Sequence, residues 1–328
     1  MNSPLRVVEF YCGIGGMRYA LEDIFDDVEV IAAIDINQSA LEIYKHNFGT
    51  DHVFNRNIQA ISASQLEEWS ADLWTMSPPC QPFTKKGLQK HEDDERCDSL
   101  SHLIKQLEVM STVPNCLFLE NVVGFETSEI HDRLVDVLRK REYQVEEVIA
   151  CPTQHGIPNR RPRFYLMAKK DGCLNPMKSF ISEQKTTPVE AIREFLCSES
   201  TSQEQKLDSA QLRKYGRGLS VVTQDSVTSA CFTKSYSRYL TGCGSLLCTN
   251  SEFVDENNKI KKDKLDSDEW TKSIRLLSTK EVSKLMSFPP RFVQPPGVSD
   301  ARMYKALGNS INVRVVANFL RRKISTTH

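Results

Sequence analysis

Cys80 is the side chain with the most chemistry to offer. It stands in Ser77-Pro78-Pro79-Cys80-Gln81-Pro82-Phe83, directly after the apolar run Leu73 to Met76. Two prolines can neither continue a helix nor donate to a strand ladder, so the chain must leave a sheet there. A thiol on a rigid turn at the carboxyl edge of a sheet sits where open α/β folds build their sites. As a thiolate it is a nucleophile; the competing fate of a free cysteine is a small buried hydrophobe. A second constellation lies upstream. Gly13, Gly15 and Gly16 let the backbone turn tightly and approach a ligand closely, and Asp35 follows the next strand-like run about 20 residues on, where a carboxylate can hold ribose hydroxyls. The spacing Gly13-x-Gly15-Gly16 departs from the dinucleotide fingerprint, which favours an adenosyl cofactor over a nicotinamide one.

These residues need a scaffold, and the hydropathy pattern supplies one. Leu5 to Phe10, Val30 to Ile34, Leu73 to Met76, Cys116 to Leu119, Val145 to Ile149 and Phe164 to Met167 read as short strands. Between them, Met17 to Ile24, Ser39 to Asn47, Leu100 to Leu107 and Ile130 to Leu138 repeat apolar residues at helical spacing. Strands alternating with amphipathic helices predict an α/β doubly wound, Rossmann-like sheet. Beyond Lys169 the chain turns polar, with a dense charge run at Asp255 to Asp268 that reads as solvated surface. Val221 to Thr223 and Ala230 to Thr233 are strand candidates there, and helical patterning returns at Thr279 to Met286 and Val313 to Leu320. The last of these is apolar enough to rejoin the first core. The expected division is a discontinuous catalytic domain, 1–175 and 280–328, around a smaller domain, 176–279.

Composition narrows the class. The 328 residues carry a formal net charge of −1, and 40% are apolar. A protein that coats long duplexes usually carries a basic excess; here the basic residues gather locally, at Lys85-Lys86, Lys90-His91 and Arg160 to Arg163. That suits a compact nucleic acid target, and ordinary solvated surface equally. Ten cysteines are scattered singly with no Cys-x-x-Cys pair, which argues against both a disulfide scaffold and a structural zinc site. No signal peptide and no run of about 18 apolar residues is present. The expectation is therefore an intracellular protein, cytoplasmic with the nucleus open, off the membrane and monomeric.

Five segments agree, in order, with one family. Phe10-Tyr11-Cys12-Gly13-Ile14-Gly15-Gly16, Pro78-Pro79-Cys80-Gln81, Glu120-Asn121-Val122, Arg161-Pro162-Arg163 and Gly308-Asn309-Ser310 resemble the motifs of the S-adenosylmethionine-dependent cytosine-5 methyltransferases. The resemblance covers roughly residues 4 to 170 and 280 to 325. Cys231-Phe232-Thr233-Lys234 followed by Gly242-x-Gly244-Ser245 is similar to the short recognition region of the eukaryotic DNA methyltransferase-2 type, whose members methylate cytosine 38 of tRNA-Asp.

The resemblance implies a mechanism. C5 of cytosine is a weak nucleophile, and a Cys80 thiolate adding to C6 pushes electron density onto it. Glu120, protonated in an enclosed pocket, would bind N3 and the exocyclic amine. Arg163 would grip O2 and steady Glu120, and Arg161 would pack or bind backbone phosphate. For S-adenosyl-L-methionine, and the product S-adenosyl-L-homocysteine, Tyr11 would stack on adenine while Gly13, Ile14, Gly15 and Gly16 shape the methionine end. Asp35 would hold the ribose and Ile36 cover the ring. Asn57-Ile58 stands where many relatives have an acid before an apolar residue; Asp72 is a weaker candidate. Pro78, Asn309 and Ser310 complete the cofactor set, and no metal is needed. Lys85 and Lys86 belong to a segment, 81–97, expected to close over substrate. Cys231 and Thr233 are recognition candidates, and Phe232 is an anchor or a stacking ring. The target base must leave its stack to reach Cys80, which costs less in an anticodon loop than in a duplex. The rival substrate is DNA, and the rival class is a noncatalytic nucleic-acid-binding protein on a decayed core.

Overall fold

The computed structural model describes residues 3–79, 98–170, 187–197 and 207–324. Its main sheet has seven strands: β1 (Leu5–Phe10), β2 (Val28–Asp35), β3 (Val53–Asn55), β4 (Leu73–Met76), β5 (Cys116–Val122), β6 (Gln144–Ala150) and β7 (Arg163–Lys169), in the order β3-β2-β1-β4-β5-β7-β6. The first five run parallel, whereas β7 enters antiparallel between β5 and β6. This is the predicted doubly wound sheet. Its reversal point lies beside β1, so the turns after β1 and β4 share the carboxyl edge where such sheets bind ligands. The short edge strand β3 was missed by the periodicity, because its Phe54 and Asn55 are exposed and leave no apolar alternation to read.

Helices α1 (Gly16–Glu22), α2 (Gln38–Phe48), α3 (Ala63–Glu68), α4 (Asp98–Val109) and α5 (Glu129–Lys140) connect the strands. Their ends are written in the sequence. Asn37 and Ser128 accept amides at the starts of α2 and α5, and α5 places Glu129 and Asp132 in its first turn and Arg139 and Lys140 in its last, matching the helix dipole. One sheet face buries Val8, Phe10, Trp74, Met76, Leu117 and Leu119 against α4 and α5 residues such as Leu103, Leu107 and Leu134.

Two compact units emerge from the packing. The first holds Met1–Ala150, Pro162–Glu183 and Val315–His328; the second holds Cys151–Arg161 and Gln184–Arg314. Within the first, Phe319 of the final helix lies 5.6 Å from Phe118 and 6.1 Å from Tyr165, as its apolar pattern predicts. The second unit contains α6 (Ser209–Tyr215), β8 (Val221–Val222), β9 (Leu246–Cys248), α7 (Glu269–Lys272), β10 (Ile274–Arg275), α8 (Thr279–Leu285) and α9 (Asp300–Asn309). The final helix, α10 (Val313–Ile324), begins at its boundary. β8, β9 and β10 form a small separate sheet. Ala230 to Thr233, a predicted strand, is instead irregular. Its backbone is used elsewhere: Thr233 N–H donates to Cys243 O, and the Phe232 carbonyl accepts from a buried arginine. Packing groups residues 280–314 with the second unit.

Candidate active site

The turn after β1 is built by backbone geometry. Tyr11 takes φ +57°, and Gly15 takes φ +84° as it opens α1. Gly15 is also a steric necessity: a Cβ there would lie 2.2 Å from the Phe48 ring of α2. Gly13 N–H donates to Asp35 Oδ2 at 2.9 Å, and Asn37 N–H donates to Oδ1 at 2.7 Å. Asp35 therefore ties the end of β2 to the glycine turn. Burial raises its carboxyl above the usual range, while the Asn37, Gly13 and Ile36 amides oppose that rise.

Beside Asp35, Ile36 is 73% exposed. Tyr11 Oη donates to Ser99 Oγ at 2.9 Å, and Ile14 and Gly16 are buried in the turn. A turn lined by backbone amides, an acid at the next strand end and an exposed apolar side chain beside it fit an adenosyl cofactor. Asn57 caps a short helical turn and binds Gln59, while Ile58, 4% exposed, belongs to the hydrophobic core. Asp72 lies elsewhere. It precedes β4, at the amino edge of the sheet, and accepts the Arg6 amide; parallel pairing of β1 with β4 puts that edge opposite the glycine turn.

The second constellation gathers at the ends of β4, β5 and β7. Register sets Met76 against Leu119, so the next residues, Ser77 and Glu120, are neighbours. Ser77 Oγ donates to Glu120 Oε2 at 3.3 Å. Val122 pairs with Arg163, whose Nε stands 3.4 Å from Glu120 Oε1. The carboxylate is 7% exposed, held between a hydroxyl and a guanidinium. Asn121 is buried and donates to the Pro78 carbonyl at 3.4 Å, bracing the Pro78-Pro79 turn. Cys80, Lys85, Lys86 and the segment expected to close over substrate lie outside the described residues.

Arg161 belongs to the second unit and does different work. It is 3% exposed, donating from Nη1 to Phe232 O at 2.9 Å and to Cys231 Sγ at 3.4 Å. Its Nη2 donates to the carbonyls of Gly308 and Ser310. One buried guanidinium thus joins three motif segments far apart in sequence. The bonds made by Nη1 and Nη2 offset much of the cost of burying this charge. Phe232 is fully buried, edge-on to Tyr236 at 5.0 Å, and so serves as an anchor. Thr233 is half-buried, and its Oγ1 accepts the Ser235 amide. Asn309 is exposed at the end of α9, and Ser310 caps that helix.

Two residues have roles that the motif pattern alone does not disclose. Gly308 sits where a Cβ would meet the Thr233 and Lys234 backbone at 2.1–2.3 Å, so the Gly-Asn-Ser motif begins with glycine for clearance. Glu9 is buried beneath the glycine turn; its only sequence signal is a lone acid in Val7-Val8-Glu9-Phe10. Among the described residues, no group of three or more His, Cys, Asp or Glu side chains is placed to hold a metal ion.

Known proteins resemble this chain over nearly its whole length. The crystal structure of Schizosaccharomyces pombe Dnmt2 methyltransferase superposes with a TM-score of 0.85 at 33% identity, covering 97% of this chain and 98% of that one. The tRNA (cytosine(38)-C(5))-methyltransferase of Schizosaccharomyces pombe is 34% identical over 95% of this chain and 94% of its own. A Dictyostelium discoideum protein named DNA (cytosine-5)-methyltransferase is 32% identical over 98% of this chain and 94% of its own. The family model for C-5 cytosine-specific DNA methylases matches residues 5–325, and the chain belongs to that family, whose methyl donor is S-adenosylmethionine.

Proposed function

We propose that this protein methylates C5 of cytosine 38 in the anticodon loop of tRNA, with tRNA-Asp as its substrate. The observation that carries the cytosine chemistry is the enclosed Glu120 carboxylate between Ser77 and Arg163, beside the Pro78-Pro79 turn that leads into Cys80. Near end-to-end similarity to the fission-yeast enzyme supports tRNA as the nucleic acid. Bound S-adenosylmethionine supplies an electrophilic methyl on its sulfonium.

The chain's own residues make the base receptive. Cys80, as thiolate, forms a bond to C6 and shifts the ring's electron pair toward C5. Glu120 holds N3 and the exocyclic amine and, when protonated, donates at N3 as negative charge develops there; Arg163 steadies Glu120 and grips O2. Once C5 carries the methyl, its proton leaves to solvent, the 5,6 double bond reforms and Cys80 departs as thiolate. Tyr11, Gly13, Gly15, Asp35 and Ile36 hold the cofactor, with Asn309 and Ser310 as supporting residues. Arg161 maintains the recognition segment, Cys231 and Thr233 contribute to tRNA selection, and Lys85 and Lys86 meet the RNA backbone. Segments 1–175 and 280–328 carry catalysis and 176–279 carries target recognition, in a metal-free monomer that works in the cytoplasm with the nucleus open to it.

DNA is the second reading, favoured by the Dictyostelium relative's name. Methyl-labelled S-adenosylmethionine incubated with tRNA-Asp, total tRNA or cytosine-containing duplex separates the two, with Cys80→Ala alongside. The expected outcome is label at C5 of tRNA cytosine 38, abolished by Cys80→Ala. Label on duplex alone overturns the tRNA reading, and label undiminished by Cys80→Ala overturns the covalent mechanism.

A further inference from the structure

Glu9 lies in β1, two residues before the glycine turn, with no solvent exposure. Its Oε2 accepts a short hydrogen bond from Tyr44 Oη of α2, and its Oε1 has no hydrogen-bond partner. On the neighbouring strand, Thr75 stands directly opposite Glu9 in register, and its buried hydroxyl also lacks a partner. Burial pushes the Glu9 carboxyl up to about 7, against the pull of Tyr44 and Arg18. Nothing in cytosine methylation uses this acid, yet an uncompensated buried carboxyl is costly to keep.

Its contacts lead to the cofactor turn. Tyr44 packs on Phe48 one helical turn later, with ring centroids 4.8 Å apart. Phe48 lies against Gly15, leaving no room for a Cβ, and the Arg18 guanidinium sits 4.4 Å over the same ring. We propose that Glu9 is a positioning residue for the cofactor turn: neutral, it seats α2 and the start of α1 under residues 11–16, and ionised, it loosens them. An ionised Glu9 has only the Tyr44 hydroxyl and the nearby Arg18 amide and charge to set against complete burial, a deficit relieved by drawing water between β1 and α1 or pulling Arg18 off Phe48. Either movement disturbs the support beneath Gly15. Cofactor affinity therefore falls as pH rises through neutrality. This inference rests on the S-adenosylmethionine reading.

Other groups near Glu9 do not account for such a titration. Tyr44 from α2 is raised well above its ordinary range by burial and by Glu9, and Cys12 from the turn is raised well above its range by burial. Arg18 from α1 stays cationic, with Glu22 paired to it. His52, bonded to Arg18, is lowered by burial and by that charge, so it titrates below the ordinary imidazole range rather than above it.

Isothermal titration of the full chain with S-adenosylhomocysteine from pH 6 to 8.5 tests the inference without requiring turnover. One proton taken up by a group titrating near 7 limits the wild-type weakening to about 30-fold across this range, and about tenfold is expected. Glu9→Gln, a permanently neutral carboxyl mimic, should bind as the wild type does at pH 6 and vary less than about twofold. Tyr44→Phe removes a contact that lowers the Glu9 pKa, so its fall in affinity should move to higher pH. A wild-type profile that is flat, or that Glu9→Gln leaves unchanged, overturns the inference alone, as does an unshifted Tyr44→Phe profile. Absence of S-adenosylhomocysteine binding at every pH overturns the cofactor reading and this inference together.

Discussion

Gly308→Ala should cost far more than one methyl group in a helix ordinarily does. Within α9, alanine is the better helix former, so propensity alone makes the change favourable by up to about 1 kcal/mol. The structure reverses that sign. The added Cβ would stand 2.1 Å from the Thr233 carbonyl carbon and 2.3 Å from the Lys234 nitrogen, both main-chain atoms with no rotamer to yield. Restoring ordinary contact requires a separation of roughly 1 Å between α9 and this segment, and overpacking of that kind costs about 1–3 kcal/mol. The same separation strains the buried Arg161 cross-link, which donates to Phe232 on one side and Gly308 and Ser310 on the other. Hydrogen bonds from a charged group contribute about 1.5–3 kcal/mol, so a net loss of about 3 kcal/mol is reasonable. That corresponds to a melting temperature lower by roughly 6–12 °C. Differential scanning calorimetry of Gly308→Ala beside Gly218→Ala measures it, because a Cβ at Gly218 meets only a Thr241 methyl at an ordinary 3.8 Å. Equal melting temperatures for the two variants would refute the clearance argument.

Two further substitutions probe the units separately. Gly15→Ala drives a methyl into the Phe48 ring and forces alanine to φ +84°, so S-adenosylhomocysteine affinity by calorimetry should drop at least tenfold; affinity within twofold of wild type would deny the turn its role. In the second unit, Glu281 is buried, accepts two bonds from Arg275 and takes the Ser278 and Cys197 amides. Glu281→Gln should destabilise by about 3–5 kcal/mol by stranding the guanidinium, read by denaturant unfolding; a loss below about 1 kcal/mol would contradict it.

Much of this architecture was legible because strands β1, β2, β4, β5 and β7 are largely apolar and β6 ends in Val148-Ile149-Ala150, and their number and helical spacers leave few alternatives. The glycine turn, Asp35 and Glu120 were legible as motifs, since each follows a strand end. What remained hidden depends on contacts between distant segments. Arg161 and Arg163 are two residues apart and look interchangeable, yet one is buried among carbonyls and the other faces a carboxylate. No local pattern distinguishes them. Ile58 looked like a cofactor neighbour because of its place in the motif order, whereas its burial in the core is set by how the chain beyond β3 folds back. Ala230 to Thr233 was read as a strand because its residues favour one, but its backbone groups bond to Arg161 and Cys243 rather than to a ladder.

Two buried glutamates show what the fold tolerates and why. In Glu281, burial raises the carboxyl, but Arg275 and the amides outweigh it and leave the acid below its ordinary value. Its folded pKa is depressed, so its stabilisation is present above about 4.5 and is lost as pH falls through the folded value. Glu9 has the opposite sign. Raised from 4.5 to about 7, it holds a proton in the folded chain that the unfolded chain has already released. Stability therefore falls as pH rises from 4.5 to about 7, by about 3 kcal/mol, and stays lost above that. An apolar residue in β1 would avoid this cost, as Val7 and Val8 do on the same strand. Glu281 thus contributes to the stability of its unit at neutral pH, whereas Glu9 detracts from its own. An acid that weakens the fold beneath the glycine turn is accounted for by what it does to that turn.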